Sequence, residues 1–335
     1  MNDRKLDHIN LALESQIGAV ENDPRFHYEP LLSKSPDNHK KNLTFLNKEL
    51  LAPIWVSSMT GGTGIAGKIN EALARVCNKF GLGMGLGSCR KLLDSKEYWD
   101  DFNLRATIGE SLPFYANLGI AQVEELISQN NLGKLVDMVG GLKADGLIVH
   151  VNPMQEWFQP EGDKFTIPPV DTISELLNEL DFPLIVKEVG QGMGPQSLLQ
   201  LMKLPLAAIE FGAFGGTNFS KVELIRRNDI QFNQFEPLTF IGHTAIEMVD
   251  FINDIVEKEK DIQCKQVIVS GGIRNFLDGY YLINKCRLPA IFGMASAFLQ
   301  RAQNSYEELE LFVENQIKGL RFAESYLIIK QIESE

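Results

Sequence analysis

The chain has little of what several functional classes require. Its 335 residues include only four cysteines, Cys77, Cys89, Cys264 and Cys286, with no C-x-x-C pair, so neither a disulfide framework nor a structural zinc site is expected. Cys77 and Cys286 read as small hydrophobes in amphipathic helices, and only Cys89, between Ser88 and Arg90, lies near a candidate site. Positive charge is also scarce: 32 Lys and Arg against 44 Asp and Glu give a net −12, a field that repels phosphate backbones and anionic lipid. Nucleic acid and membrane surfaces are therefore not expected partners. The longest apolar stretch, 288–299, falls short of the roughly 20 residues of a spanning helix. The N-terminus opens with Asp3, Arg4 and Lys5 where a signal peptide would be apolar, so the expectation is a soluble, cytoplasmic protein. There is no P-loop and no assignable Ser-His-Asp or Cys-His arrangement. The run G-L-G-M-G-L-G at 81–87 misses the G-x-G-x-x-G spacing and the acidic residue about 20 positions on that a dinucleotide fold needs.

What is present is an ordinary globular composition, 44% hydrophobic and 23% charged. Eight short apolar runs recur, at 53–59, 81–86, 113–117, 146–150, 183–187, 206–211, 266–270 and 289–294. They are nearly continuous, without strict alternation, which suits parallel strands covered on both faces. Between them lie helical stripes: Ile69, Leu73, Val76 and Phe80; Leu132, Leu135, Val136, Val139 and Leu142; Ile246, Val249, Ile252 and Val256. Thr172 with Glu175, and Ser305 with Glu308, are spaced as capping boxes and predict helix starts. Strand and helix repeated eight times is the (β/α)₈ barrel, an α/β fold.

Strand starts fall about 25 to 35 residues apart, as one barrel unit requires, except that the sixth and seventh are separated by nearly twice that. The segment 215–243, rich in Asn, Gln and Phe, is read as a long active-site loop after strand six, ahead of a helix starting near Thr244. The polar stretch 33–41 reads as a mobile loop, and the residues after Lys330 as a fraying end. The expectation is one domain over 1–335, with an N-terminal arm (1–50) covering the substrate and a barrel over 51–330.

Chemistry in such a barrel sits at the C-terminal strand ends. Here these ends carry Met59, Thr60, Gly61 and Gly62; Ser88 and Arg90; Asn117; His150, Asn152, Gln155 and Glu156; Lys187; Thr217; Gly271 and Gly272; and Met294 and Ala295. A Gly pair after a strand can be only a tight turn. Small residues after both strands seven and eight, however, match the usual phosphate site, where N–H groups at a helix start hold a dianion. Lys187 at the barrel mouth is seldom structural, because burying an unpaired ammonium is costly; it could neutralise a reduced cofactor's anion or form a Schiff base. His150, Asn152, Gln155 and Glu156 form H-x-N-x-x-Q-E. A single carboxylate there suits Mg²⁺, which takes one or two carboxylates with substrate oxygens and water.

In order along the chain, R-K-x-x-H-I, M-T-G-G, G-S-x-R, A-N-x-G, H-x-N-x-x-Q-E, K-E-x-G-x-G, G-G-T-N and S-G-G-I-R, from Arg4 to Arg274, make the chain resemble the type 2 isopentenyl-diphosphate isomerases, FMN-dependent barrels. The resemblance runs nearly end to end. It implies FMN across the barrel mouth, contacted by Met59, Thr60, Gly61, Gly62, Ser88, Asn117 and Lys187, with its phosphate on Thr217, Gly271, Gly272, Met294 and Ala295. It implies a substrate diphosphate gripped by Arg4, Lys5, Ser88 and Arg90, with His150, Asn152 and Gln155 around it and Mg²⁺ on Glu156. It further implies a flavin reduced by NADPH without net redox change, isoprenoid biosynthesis as the setting, and a homotetramer or larger assembly. No side chain at the strand ends has the acidity to protonate an alkene, so reduced FMN is expected to supply acid and base, Lys187 tuning its charge and Gln155 orienting or relaying the proton. Phe214, before the Gly pair, departs from the smaller or polar residue expected there. The alternative is an FMN-dependent 2-hydroxy-acid oxidase, disfavoured because His243 is the only late histidine and no H-G-x-R accompanies it. A phosphate-ligand sensor without catalysis would leave the polar strand ends idle.

Overall fold

The computed structural model describes residues 4–36, 42–58, 60–227, 229 and 232–330. Residues 37–41 of the expected mobile loop, Met59, and the expected fraying end beyond 330 lie outside these described residues. Eight parallel strands close a barrel: β1 (Ile54–Val56), β2 (Gly83–Gly85), β3 (Phe114–Gly119), β4 (Gly146–His150), β5 (Leu184–Lys187), β6 (Ala208–Glu210), β7 (Val267–Ser270) and β8 (Ala290–Met294), with β8 pairing back onto β1. Each falls within or overlaps a run expected from sequence. Nearly every residue of these strands is buried, as both faces are covered, the inner by barrel side chains and the outer by helices.

Helix starts follow local chemistry. Thr244 opens the helix Ala245–Lys258 with a complete capping box to Glu247, and the Ser305 side chain accepts from Glu308 N at the head of Tyr306–Tyr326. The expected start at Thr172 is wrong: the helix is Pro169–Glu179, begun by a proline whose missing N–H is no loss in a first turn, and Thr172 lies inside it, buried. Val136 and Ile246 lie exposed, outside the stripes assigned to them, and Cys286 caps the end of Phe276–Lys285, just past the helix.

The largest correction concerns 215–243. It is not a plain loop: it carries the helix Phe219–Arg227 and a 3₁₀ stretch Phe232–Phe240. Phe232 and Phe235 pack against Trp157 and Phe158 with ring centroids 5.0–5.7 Å apart, fastening the insertion to the short helix Pro153–Phe158 at the end of β4. The backbone N–H of Phe214 donates to His243 O at 2.8 Å, closing the base of the insertion, a bond that does not depend on the phenylalanine side chain.

At the opposite end of the barrel, a hairpin of strands Leu43–Phe45 and Lys48–Leu50 places Phe45 and Leu50 in the core. Beside it Arg105, 3% exposed, meets Asp145 at 2.9 Å and donates to the carbonyls of Lys143, Gly109 and Leu112, while Lys48 reaches the other Asp145 oxygen. The N-terminal helix Arg4–Leu11 buries none of its residues. The strand Phe26–Tyr28 pairs antiparallel with Leu327–Ile329.

Candidate active site

Neighbouring parallel strands put register partners side by side with their side chains turned the same way. At the rim, Gly119 stands opposite His150, His150 opposite Lys187, and Lys187 opposite Glu210, so an imidazole, an ammonium and a carboxyl line adjacent strand ends. Two cavities open there. One of about 310 Å³ runs from Ser57, Lys187 and Glu210 past Thr217 to Gly271, Gly272, Met294 and Ala295. The other, about 130 Å³, is walled by Ser88, Asn117, His150 and Gln155; the two share Ser58, Lys187, Val189 and Phe219.

The far end of the larger cavity is a backbone cradle. Gly271 has φ +92°, and a Cβ there would lie 2.1 Å from Ala213 O, so only glycine lets the end of β7 approach the chain leaving β6. The helix Ser296–Asn304 starts at the same place with Ala295 at its N-cap and no side chain capping it, which leaves first-turn N–H groups free to meet an anion. Arg274 and Arg301 add two guanidinium groups. Donors of this kind, with no carboxylate among them, suit a phosphate dianion.

Lys187 is 6% exposed, and its Nζ donates to Glu188 O at 2.8 Å. Glu188 points away from the mouth: one carboxylate oxygen accepts the N–H groups of Gly190, Gln191 and Gly192 at 2.6–2.9 Å, fixing the turn behind Lys187. Burial pushes this carboxyl up, and those N–H groups oppose it. Glu210, wholly buried, is likewise pushed up by burial and pulled back by Lys187.

Burial, aided by the charge of Lys187, pushes the His150 imidazole down to about 3, so it is neutral at physiological pH. Asn117 donates its amide to Leu86 O at 2.9 Å, which turns its oxygen toward His150 Nδ1 at 2.7 Å. The ring proton therefore sits on Nδ1, and Nε2 remains an acceptor.

Proline at the start of Pro153–Phe158 turns the chain into a short helix that carries Gln155 and Glu156. Asn152 donates to Gln155 Oε1 at 3.1 Å and to Glu156 Oε1 at 2.8 Å, while Asp163 N donates to Glu156 Oε2 at 2.8 Å. Gln155 and Gln159 both donate to Glu223 on the inserted helix, at 3.2 and 2.9 Å. Arg90, more than half exposed, pairs with Asp163 at 3.1 Å. Among the described residues no group of three or more His, Cys, Asp or Glu side chains could hold a metal, so an all-protein cage is absent there.

Of the residues singled out from sequence, Ser88, Asn117, His150, Gln155, Lys187, Thr217, Gly271, Gly272, Met294 and Ala295 line the two joined cavities. Thr60 and Gly61 lie beside them, with the backbone of Thr60 against Gly87 and that of Gly61 against Ser88, while Gly62 faces Tyr98 and Lys91. Asn152, Glu156 and Arg90 form the adjoining polar network. Arg4 and Lys5 are not brought to the site: they sit on the exposed helix Arg4–Leu11, and no residue of that helix lines either cavity. Sequence reasoning missed Glu210, hidden inside the apolar run 206–211; Glu223 and Asp163, which become neighbours of Gln155 and Glu156 only through the fold; and Arg301 on the last barrel helix. Arg274 was legible, inside S-G-G-I-R.

A parallel eight-stranded barrel with an anion cradle after its last two strands defines the class. Solved structures agree on that fold: the flavin-binding domain of baker's yeast flavocytochrome b2 matches with TM-score 0.61 and 14% identity, over 89% of this chain and 71% of that one. A mandelate oxidase variant matches with TM-score 0.57 and 14% identity, over 91% and 87%. No family model matches the sequence. Closer similarity comes from curated relatives. Isopentenyl-diphosphate delta-isomerase of Rickettsia peacockii is 36% identical, and that of Rickettsia bellii 37%, each over 93% of this chain and 90% of the relative. The chain belongs to the isopentenyl-diphosphate delta-isomerase family.

Proposed function

We propose that this chain isomerises isopentenyl diphosphate to dimethylallyl diphosphate in isoprenoid biosynthesis, using FMN in its reduced form and Mg²⁺, with NADPH as reductant. The observation that carries the reading is the meeting of an anion cradle and a small polar cavity at one lysine, Lys187. FMN fits the donor set: Thr217, Gly271, Gly272, Ala295, Arg274 and Arg301 would hold its phosphate, and Ser88, Asn117 and Lys187, with the backbone of Thr60 and Gly61 against Gly87 and Ser88, its ring. Mg²⁺ fits Glu156, whose two oxygens each accept one hydrogen bond and keep a lone pair. A single carboxylate completed by substrate oxygens and water is ordinary for this ion.

When bound, the reduced flavin supplies the acid and base that the side chains lack. The residues do the rest. Lys187 sets the charge at the cofactor edge. Gln155, held by Asn152 and Glu223, orients the proton that moves on and off the alkene. His150, neutral, keeps a hydrogen-bond acceptor toward the site instead of a second cation. Arg90 must leave Asp163 to grip the diphosphate, and Arg4 and Lys5 must be carried in from the arm. The arm (1–50), the barrel (51–330), a homotetramer or larger assembly and a cytoplasmic location belong to the same proposal.

The 2-hydroxy-acid oxidase alternative shares the fold of the solved flavoenzymes, but His243 packs on Phe251 and is absent from both joined cavities. Anaerobic incubation with isopentenyl diphosphate, FMN and Mg²⁺, with and without NADPH, tests the reading. Product only in the reduced sample supports it; no product from a folded, FMN-loaded protein that oxidises a 2-hydroxy acid rejects it.

A further inference from the structure

Glu210 is a wholly buried carboxyl to which none of the roles above assigns work. Neither of its oxygens has a hydrogen-bond partner among the described residues. It ends β6 directly opposite Lys187 on β5 and forms part of the floor of the larger cavity. Trp55 and Ser57 from the β1 side and Ser270 at the end of β7 face it. Trp55 Nε1 and Ser57 Oγ are themselves buried and unpartnered among the described residues. Ser270 Oγ accepts from Gly212 N at 3.0 Å, which leaves its O–H to be donated. Lys187 directs one N–H at Glu188 O and keeps two.

Burial pushes the Glu210 carboxyl up, toward the neutral form, and that inventory works against it. Trp55 and Lys187 can only donate, and the two serines each hold a proton to give. A protonated Glu210 would add one more donor to a floor already rich in them. An ionised Glu210 is the acceptor that Trp55 Nε1 and Ser57 Oγ lack, it can also take the protons that Ser270 and Lys187 still hold, and hydrogen bonds to a charged form favour it.

We propose that Glu210 is ionised at neutral pH and serves as the fixed counter-charge of Lys187, a positioning residue that holds the ammonium at the rim and sets how readily the bound flavin accepts electrons. The role of Lys187 toward FMN rests on the function proposed above; the ionisation of Glu210 does not.

The test has two arms. In FMN-loaded protein, Glu210→Gln removes a negative charge from the lining of the larger cavity, and the two-electron reduction potential is expected to move positive, with Glu210→Asp staying near wild type. An unchanged potential in Glu210→Gln overturns the proposal, because a neutral carboxyl and an amide would act alike. In cofactor-free protein at neutral pH, the infrared difference between wild type and Glu210→Gln is expected to show loss of carboxylate bands; loss of a protonated carboxyl band overturns it. If Glu210→Gln does not fold, the difference between wild type and Glu210→Asp reads the same bands. If the chain binds no FMN, the function proposed above falls and the infrared arm still decides the state of Glu210.

Discussion

At His150 the sign of the pH dependence follows from a depressed imidazole. The folded ring protonates only near pH 3, whereas the unfolded chain takes up the proton near 6.5. Between those values the unfolded state binds more protons, so the contribution of His150 is fully present above about 6.5 and is lost as pH falls toward about 3. Urea denaturation across that range should show a shallower acid-side loss in His150→Gln than in wild type; identical slopes would mean the ring is not buried neutral. Glu188 poses a different test. Its carboxylate satisfies three backbone N–H groups at once, so Glu188→Ala should cost at least about 3 kcal/mol in thermal or chemical unfolding. The exposed Arg90–Asp163 pair should be worth under about 1 kcal/mol, so Arg90→Ala should leave stability almost unchanged while raising KM for the diphosphate; Asp163 also accepts from the buried Gln122 amide at 2.7 Å, so the arginine is the side of the pair to remove.

Among the elements, the insertion 215–243 governs the site more than its length suggests. Its helix brings Glu223 to Gln155, and its aromatics press on the short helix that carries Gln155 and Glu156. Phe232→Ala should loosen this contact by about 2 kcal/mol, seen as faster proteolysis within 215–243 and a raised KM, with the barrel's melting little changed. The sequence marks this segment only by the doubled strand spacing, because a short helix and a 3₁₀ stretch held by aromatic contacts to residues far along the chain leave no period of their own strong enough to read. The eight barrel strands were legible for the opposite reason: burial on both faces demands continuous apolar runs. Thr172 shows the limit of local signals, since a capping-box spacing inside a helix is indistinguishable from one at its start until the preceding prolines are weighed. The cradle was legible in its glycines, yet Glu210 was not, because a single acid between Ile209 and Phe211 leaves the run 206–211 reading as apolar. At the cradle itself, Gly271→Ala should abolish FMN retention, read by flavin absorbance after gel filtration, since the added Cβ would collide with Ala213 O.

The molecule as a whole divides its two ends between stability and chemistry. The C-terminal ends of the strands gather Lys187, Arg90, Arg274 and Arg301 in a chain of net charge −12, which makes the site a local exception in a repelling field. The other end is closed by the core-facing hairpin and by Arg105 with Asp145. Arg105→Ala leaves that carboxylate and three carbonyls short of a partner and should cost about 3–5 kcal/mol in unfolding, with turnover below the melting transition unaffected. The central claim is that a reduced-flavin site moves a proton between solvent and an alkene of a diphosphate. Proton NMR of the FMN-loaded, NADPH-reduced protein with Mg²⁺ and isopentenyl diphosphate in D₂O tests it most directly. The account predicts dimethylallyl diphosphate with solvent deuterium in its new methyl group, formed only when the flavin is reduced; product free of deuterium, or formed equally with oxidised flavin, would contradict it.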